Sequence, residues 1–140
     1  MSEFSMALNE DQLTIQKWTH DFAETVIRPA AQRLAAFGEP VLLEFDPEMD
    51  ARIGSVKGTP SEFVAAWRHV HDVFETAGAT NVRWVWTVTG YLGAGRDHTV
   101  LDAYPGDDYV DWVGYDPYNF YTCPTAGGAP RPWKDFATTI

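Results

Sequence analysis

The sequence predicts an α/β fold with about three parallel strands, preceded by an N-terminal helical segment. Three observations favour it: short apolar runs typical of buried strands, an amphipathic helix between the first two runs, and long loops after the runs. The length of 140 residues suits one domain, and 45% hydrophobic with 21% charged residues fits a globular protein.

Residues 9–28 are predicted to form the first helix. Asn9 can cap it, and Gln12 three positions later completes a capping box. Apolar residues at spacings of three and four form one stripe along it: Ile15, Trp18, Phe22 and Val26. Pro29 is expected to interrupt this helix, and a second helix then runs to Gly38, which suits a left-handed cap.

Three runs are predicted to be strands, at 41–45, at 82–87 and within 109–115. Between the first two, Thr59 and Glu62 form a capping box that predicts a helix ending near Gly78. Loops are expected at 46–58 and 90–108, and a last helix from Trp133.

Three parallel strands leave two open sheet edges, and a closed (β/α)8 barrel takes about 250 residues. Either a barrel is incomplete here or the edges are covered in another way. Pairing with a second copy would cover them, so a homo-oligomer through the exposed sheet edges is one expectation.

Charge and composition exclude several classes of partner and cofactor. The formal charge of −10 opposes binding to nucleic acid or to anionic membranes. No apolar run is long enough to span a bilayer and no signal peptide is recognised, so the chain as written is expected in the cytoplasm, although its parent enzyme could be secreted. Cys123 is the only cysteine, which excludes an intrachain disulfide and makes a zinc–cysteine site implausible. Neither a cofactor nor a metal is predicted.

Two groups of residues leave a metal-binding alternative to weigh. His69 and His71 lie two apart on a helix and face different sides, so they are expected to be solvated or packed. Asp107 and Asp108 are expected to form a turn, with a calcium contact as the weaker alternative. The glycines between 90 and 95 lack the lysine and following helix of a phosphate-binding loop.

Aromatic residues make up 14% of the chain, and packing is their expected main role. Stacking on sugar rings is the alternative for those that follow strand ends.

Four consecutive blocks of sequence, at 38–50, 59–71, 78–86 and 104–114, resemble the motifs of one known protein family. These blocks include Pro47-Glu48-Met49-Asp50, Thr59-Pro60-Ser61-Glu62 and Asp107-Asp108-Tyr109-Val110-Asp111. In content and order, residues 33–136 resemble glycoside hydrolase family 26, whose best-known members are β-mannanases. A fifth block at 133–137 resembles the start of the family's next helix.

This resemblance implies a partial (β/α)8 barrel that holds the fourth, fifth and sixth strands. It assigns the family's acid/base glutamate to Glu48, within a His-Glu-Met-Asn motif. Met49 matches that motif, whereas Pro47 replaces the histidine and Asp50 replaces the asparagine. No residue of this sequence matches the family's nucleophile, which follows the seventh strand. Without the family match, Glu48 would read as an exposed loop carboxylate.

Retaining hydrolysis needs two carboxyl groups about 5 to 5.5 Å apart, so a second carboxylate is required. Asp116 and Asp46 are the candidates to replace the nucleophile, although such a replacement is not favoured.

The predicted substrate-binding residues lie at or after the ends of the second and third strands: Trp86, Tyr115, Asp116, Tyr118 and Asn119. Sugar contact is preferred over packing for Trp86 and Tyr118, whereas packing is an equal alternative for Tyr115 and Phe120.

A second resemblance concerns residues 8–32, where Leu8-Asn9-Glu10-Asp11-Gln12-Leu13 and Val26-Ile27-Arg28-Pro29-Ala30-Ala31 look like the first helices of acyl-CoA dehydrogenases. In that family these helices are structural. Two resemblances that meet near Gln32 imply a chimera, with a helical segment at 1–32 and a partial glycoside-hydrolase-like domain at 33–140.

Two functions from different classes follow. The first is a β-glycanase fragment that binds β-linked polysaccharide or oligosaccharide through a site containing Glu48, with weak or no hydrolysis. The second is a non-catalytic module for interaction or assembly. A helical module derived from an acyl-CoA dehydrogenase ranks third.

Overall fold

The computed structural model describes residues 8–53, 58–89, 97–124 and 127–135. The chain divides into two compact units, one of Met1–Val41 with Val70–Val82 and one of Leu42–His69 with Arg83–Ile140. The elements in chain order are α1 (Glu10–Phe22), a π turn (Ala23–Ile27), α2 (Arg28–Phe37), β1 (Val41–Glu44), a 3₁₀ turn (Met49–Ala51), α3 (Pro60–Thr76), β2 (Val82–Val88), α4 (Asp97–Asp102), a 3₁₀ turn (Asp107–Tyr109) and β3 (Trp112–Tyr115).

The N-terminal capping box is confirmed. The Gln12 backbone N–H donates to Asn9 Oδ1 and the Asn9 N–H donates to Gln12 Oε1, both at 2.9 Å. The interruption expected at Pro29 takes the form of a π turn, in which the Arg28 N–H donates to the carbonyl of Ala23. Proline clashes with the carbonyl four residues earlier, and a wider turn at this point lets the helical backbone continue into α2.

The first unit has a small core that does not include the predicted stripe of α1. Ala31, Val73, Phe74, Ala79 and Val82 are buried. The four stripe residues are instead exposed: Ile15, Trp18, Phe22 and Val26.

The end of α2 is held by side-chain and backbone contacts within the same unit. Gly38 adopts the left-handed conformation predicted for it, with φ 77°. The Asn81 amide donates to the carbonyls of Leu34 and Glu39, at 2.9 and 2.7 Å, and the Leu34 carbonyl also accepts from the Gly38 N–H. The predicted segment boundary at residue 33 lies inside α2.

The three strands form one open parallel sheet in the order β1-β2-β3, which confirms the predicted fold class. In its register Val85 lies beside Trp112, and Thr87 lies beside Gly114. β1 and β3 are therefore the edge strands of the described sheet.

The core of the second unit lies between β2 and α3. The capping box of α3 is confirmed, since the Thr59 N–H donates to Glu62 Oε2 at 2.8 Å. Trp84 alternates with exposed Arg83 on β2 and packs against Trp67 of α3, with ring centroids 5.7 Å apart. The Trp67 indole N–H donates to the Tyr109 carbonyl at 3.0 Å, which satisfies its polar group inside the core. One face of β2 is thus buried, and the opposite face carries Thr87.

One loop prediction and one helix prediction differ from the structure. The region expected to be a loop at 90–108 contains α4, whose six residues are too few to produce a readable periodicity. The helix expected from Trp133 is absent over residues 133–135, while 136–140 lie outside the described residues. Residues 54–57 and 90–96 of the predicted loops also lie outside them. No helix among the described residues is long and apolar enough to cross a membrane.

Candidate active site

Glu48 follows β1 in a left-handed backbone conformation, with φ 57° and ψ 35°. Its N–H donates to the Thr87 carbonyl at 3.0 Å, and its own carbonyl accepts from the Ala51 N–H at 3.1 Å. A residue with a Cβ avoids this conformation unless its surroundings impose it, and such residues concentrate at functional sites. Contacts to β2 therefore hold Glu48 in a conformation that its own backbone disfavours.

The carboxyl groups of Glu48 and Asp116 line the same cleft and interact with one another. Asp116 follows β3, where its N–H donates to the Val88 carbonyl at 3.0 Å and so extends the parallel ladder. Carboxyl ends of parallel strands meet at one edge of a sheet, which brings together two residues that are 68 positions apart.

The pKa of Glu48 is raised above its ordinary value of 4.5. The hydrogen bond to Asp116 is the main cause, followed by partial burial and by the negative charge of Asp116. Arg52 acts in the opposite direction, but its effect is smaller. Two carboxyl groups this close favour a shared proton, so Glu48 holds its proton to higher pH than an isolated glutamate.

Asp116 is also bound from the loop after β3. The Tyr118 hydroxyl donates to Asp116 Oδ2 at 3.0 Å. Around the carboxyl pair lies a cleft of about 600 Å³. Its lining residues come from the ends of all three strands and the loops after them: Glu44, Pro47, Glu48, Arg52, Thr87, Gly114, Tyr115, Asp116 and Tyr118.

Two further acidic residues near Glu48 have structural partners. Asp46 forms an ion pair with Arg52, with Oδ1 and Nη2 2.8 Å apart. Asp50 is buried and accepts from both the N–H and the hydroxyl of Thr89, at 3.0 and 2.5 Å. Neither residue lines the cleft. Asp50 therefore anchors the turn after Glu48 to the end of β2.

The sequence model of Glycosyl hydrolase family 26 matches residues 25–128. The chain belongs to glycoside hydrolase family 26. Endoglucanase H of Acetivibrio thermocellus is 35% identical to it over 121 residues, which cover 81% of this chain and 13% of that protein. The chain thus spans about 13% of the length of this curated relative. The family match begins inside the segment that resembles acyl-CoA dehydrogenases, and that resemblance stays a prediction.

Within this family 26 chain, four of the six predicted site residues line one cleft: Glu48, Tyr115, Asp116 and Tyr118. The sequence reasoning missed Glu44 and Arg52, which line it as well. Glu44 is the polar last residue of an otherwise apolar strand, and this was an available signal for a residue at the sheet's carboxyl end.

Trp86 does not lie with the cleft residues. It is 5% exposed and its ring contacts Tyr104 edge to face, with centroids 5.1 Å apart. Consecutive residues of a strand point to opposite faces, so Trp86 points away from the face that carries Thr87. Burial on that face indicates that Trp86 packs in this structure, and its sugar contact stays a prediction.

Asn119 holds the loop after β3 and does not line the cleft. Its amide donates to the Lys134 carbonyl at 2.8 Å, and its side-chain oxygen accepts from the Tyr121 N–H at 3.1 Å. These bonds connect the loop at 118–121 to residues near 134.

Exposed aromatic rings continue along that loop from Tyr118. Tyr118 stacks on Phe120 at 5.7 Å, and Tyr121 meets Trp133 edge to face at the same distance. Arg131 lies over the Phe120 ring at 4.7 Å. Exposed aromatic rings of this kind can stack on the apolar face of a sugar ring.

No group of three metal-ligating side chains forms among residues 8–53, 58–89, 97–124 and 127–135. His71 lies instead beside Asp72, with Nδ1 and Oδ1 3.5 Å apart.

Proposed function

We propose that this chain carries the acid half of a β-glycanase site, with Glu48 as the proton donor to the glycosidic oxygen. The observation that carries the proposal is the Glu48–Asp116 carboxyl pair inside the cleft. A general acid must be protonated near neutral pH, and the raised pKa of Glu48 has a physical cause in Asp116. Membership of glycoside hydrolase family 26 supports the same role.

In the proposed step, the protonated Glu48 carboxyl donates its proton to the glycosidic oxygen as the bond between that oxygen and the anomeric carbon breaks. The leaving sugar departs with a new hydroxyl group, and the anomeric carbon bonds to an attacking nucleophile. The negative charge left on Glu48 would then face Asp116, so proton release is opposed by Asp116 and aided by nearby Arg52. Tyr118 orients Asp116 through its hydroxyl. Asp116 and Arg52 thus act directly on the protonation of Glu48, and Tyr118 acts on it through Asp116.

The attacking carboxylate of a retaining mechanism is not supplied by the candidates considered above. Asp116 accepts from the Tyr118 hydroxyl and interacts directly with the Glu48 carboxyl, so we assign it to the control of the Glu48 proton and not to nucleophilic attack. Asp46 is paired with Arg52. We therefore expect this chain on its own to bind substrate and to hydrolyse it weakly or not at all.

The proposed ligand is a β-linked polysaccharide such as a β-mannan or a β-glucan. The relative named an endoglucanase supports a glucan, and the cleft offers two tyrosines, Tyr115 and Tyr118, beside its carboxyl groups. The aromatic rings can stack on the faces of the sugar rings, and the carboxylates can accept hydrogen bonds from the sugar hydroxyl groups.

The test is a reducing-sugar assay on mannan and on mixed-linkage glucan, run on the unsubstituted chain and on Glu48→Gln. Turnover that disappears in Glu48→Gln would mean that a second carboxylate completes the site. Binding without turnover, measured as titration heat with cellohexaose or mannohexaose, is the result we expect. Absence of binding at millimolar oligosaccharide in a folded protein would overturn the proposal.

A second candidate, a module for assembly with another copy, is favoured by the exposed sheet. Leu42 is 70% exposed on β1 and Trp112 is 62% exposed on β3, and both strands are edges. Large apolar side chains on open edges favour pairing with another sheet. The third prediction, a helical module derived from an acyl-CoA dehydrogenase, would act as a flavin-linked dehydrogenase only if it bound flavin, and a colourless protein that takes up no flavin would exclude that activity.

A further inference from the structure

Glu44 is a third carboxylate of the cleft. It is the last residue of β1 and lines the cleft together with Glu48 and Asp116. Its Oε1 accepts from the Thr87 hydroxyl at 2.7 Å, so its side chain lies on the same face of the sheet as Thr87. The preceding residues Val41, Leu42 and Leu43 are apolar, and the charge appears only where the strand reaches the cleft.

Thr87 forms hydrogen bonds to both Glu44 and Glu48. Its hydroxyl donates to Glu44, and its carbonyl accepts from the Glu48 N–H at 3.0 Å. The position of the Glu44 carboxylate is thereby tied to the same residue that fixes the Glu48 backbone. Side chains that are pre-positioned in this way lose less rotamer freedom when a ligand binds.

The space for this arrangement depends on Gly114. Gly114 is the register partner of Thr87 on β3. A Cβ at position 114 would lie 2.3 Å from Thr87 Oγ1 and 3.0 Å from Thr87 Cβ, which is closer than real Cβ contacts. Any side chain at 114 would displace the Thr87 hydroxyl from Glu44. One residue from each strand therefore contributes to the floor of the cleft: Glu44 from β1, Thr87 from β2 and Gly114 from β3.

We propose that Glu44 is a sugar-binding and specificity-determining residue, which accepts hydrogen bonds from hydroxyl groups of the β-linked ligand and is positioned by Thr87 and Gly114. This rests on the proposed glycan-binding function of the same cleft. An ionised carboxylate offers about four lone-pair sites, and Thr87 uses one of them, which leaves capacity for neighbouring hydroxyls of a sugar ring. Hydrogen bonds to a charged acceptor are stronger than neutral ones, so their number and angle discriminate between sugars that differ in one hydroxyl.

The test is calorimetric titration of cellohexaose and mannohexaose into the unsubstituted chain, Glu44→Gln and Glu75→Gln. Glu75 is an exposed glutamate of α3 that does not line the cleft, and it serves as the matched control. Glu44→Gln keeps the shape and the contact to Thr87 but removes the charge. We expect it to weaken binding of the preferred hexaose by roughly tenfold and to change the affinity ratio of the two hexaoses. Glu75→Gln should leave both affinities unchanged.

Variants of Thr87 and Gly114 separate positioning from a structural role. Thr87→Val should weaken binding and Thr87→Ser should restore it, because only serine retains the hydroxyl. Gly114→Ala should weaken binding strongly alone and weaken it less when added to Thr87→Ala, because that change removes the Oγ1 at 2.3 Å and leaves only the Cβ contact at 3.0 Å. If the bond between Thr87 and Glu44 were only structural, all of these variants would lose thermal stability. The ratio of the affinities for cellohexaose and mannohexaose would then stay unchanged in the folded protein.

The outcomes distinguish this inference from the proposed function. If the unsubstituted chain binds and Glu44→Gln binds equally well with the same selectivity, the role of Glu44 is refuted while the glycan-binding function stands. If the folded, unsubstituted chain binds neither hexaose, the proposed function itself fails and takes the role of Glu44 with it.

Discussion

Glu48 combines a left-handed backbone with a carboxyl pair, and the two features can be tested separately. Replacement by alanine or glycine removes the carboxyl in both cases, but only glycine removes the Cβ that opposes φ 57°. We expect Glu48→Gly to melt about 3 °C or more above Glu48→Ala, measured by thermal unfolding.

This order is the reverse of the usual one, because alanine is normally the more stabilising of the two residues. A suitable control is Ala51, whose exposed position in the following 3₁₀ turn should lose stability on change to glycine. If Glu48→Ala melts at or above Glu48→Gly, the surroundings do not impose the left-handed conformation.

Because Asp116 raises the pKa of Glu48, the free energy of unfolding should depend on pH. The folded-state pKa of Glu48 is raised, mainly by its hydrogen bond to Asp116, whereas the unfolded chain titrates near the ordinary value of 4.5. The folded state therefore binds the proton more tightly. The stabilising contribution is complete below that unfolded value and is lost as the pH rises through the raised one.

Asp116→Asn should flatten this part of the pH profile. Urea unfolding at several values between about pH 4 and about pH 7 measures it as a smaller loss of unfolding free energy with rising pH. Asp108→Asn, at an exposed aspartate outside the cleft, is the matched control. An identical profile for Asp116→Asn and the unsubstituted chain would argue against the carboxyl pair.

At the residue scale, strand ends and the family resemblance pick out Glu48, Tyr115, Asp116 and Tyr118, and these four line one cleft. The same signals pick out Trp86, which does not line it, because an aromatic residue near a strand end can point to either face. Glu44 escaped notice because its role depends on a bond to Thr87, 43 positions later in the chain.

At the scale of elements, Asp50 fastens the turn after β1 to the end of β2. Asp50 is 5% exposed, and its carboxylate accepts two hydrogen bonds from Thr89. Asp50→Ala would remove the acceptor of both bonds in a buried place, so we expect a loss of about 2 to 3 kcal/mol in unfolding free energy.

Asp50→Asn is the informative companion, because its oxygen can still accept from the Thr89 N–H and its amide can donate to the rotatable hydroxyl. Chemical denaturation should place it much closer to the unsubstituted chain than Asp50→Ala. Equal losses for both variants would show that the charge itself, rather than the pair of hydrogen bonds, holds the turn.

Helix starts were the most predictable elements, because local sequence determines them. The capping boxes at Asn9 and Thr59 need only residues three positions apart. α4 was missed because six residues show no period, and the exposure of the α1 stripe depends on tertiary packing that periodicity alone does not contain.

At the scale of the whole molecule, the open sheet is expected to promote association. Leu42 and Trp112 project from edge strands, on the face that also carries Thr87. Sedimentation velocity over a range of concentrations should detect association of the unsubstituted chain and less of it in Leu42→Lys.

Leu101→Lys provides the comparison, since Leu101 is equally exposed but lies on α4 rather than on the sheet. It should associate like the unsubstituted chain. A protein that stays monomeric at the highest concentration would contradict assembly through the sheet.

The parallel order of the strands was predictable from the alternation of strands with a helix and from the family resemblance. The exposure of individual residues of the sheet was not predictable from the sequence, because it depends on everything that packs around the sheet.

The most direct test of the account is the titration of the Glu48 side-chain carboxyl by carbon-13 NMR, in the unsubstituted chain and in Asp116→Asn. We predict a midpoint above 4.5 that falls when Asp116 is replaced, because the neighbouring carboxyl favours the protonated form of Glu48. A midpoint at or below 4.5 in the unsubstituted chain, unchanged by Asp116→Asn, would contradict the assignment of Glu48 as the proton donor of this cleft.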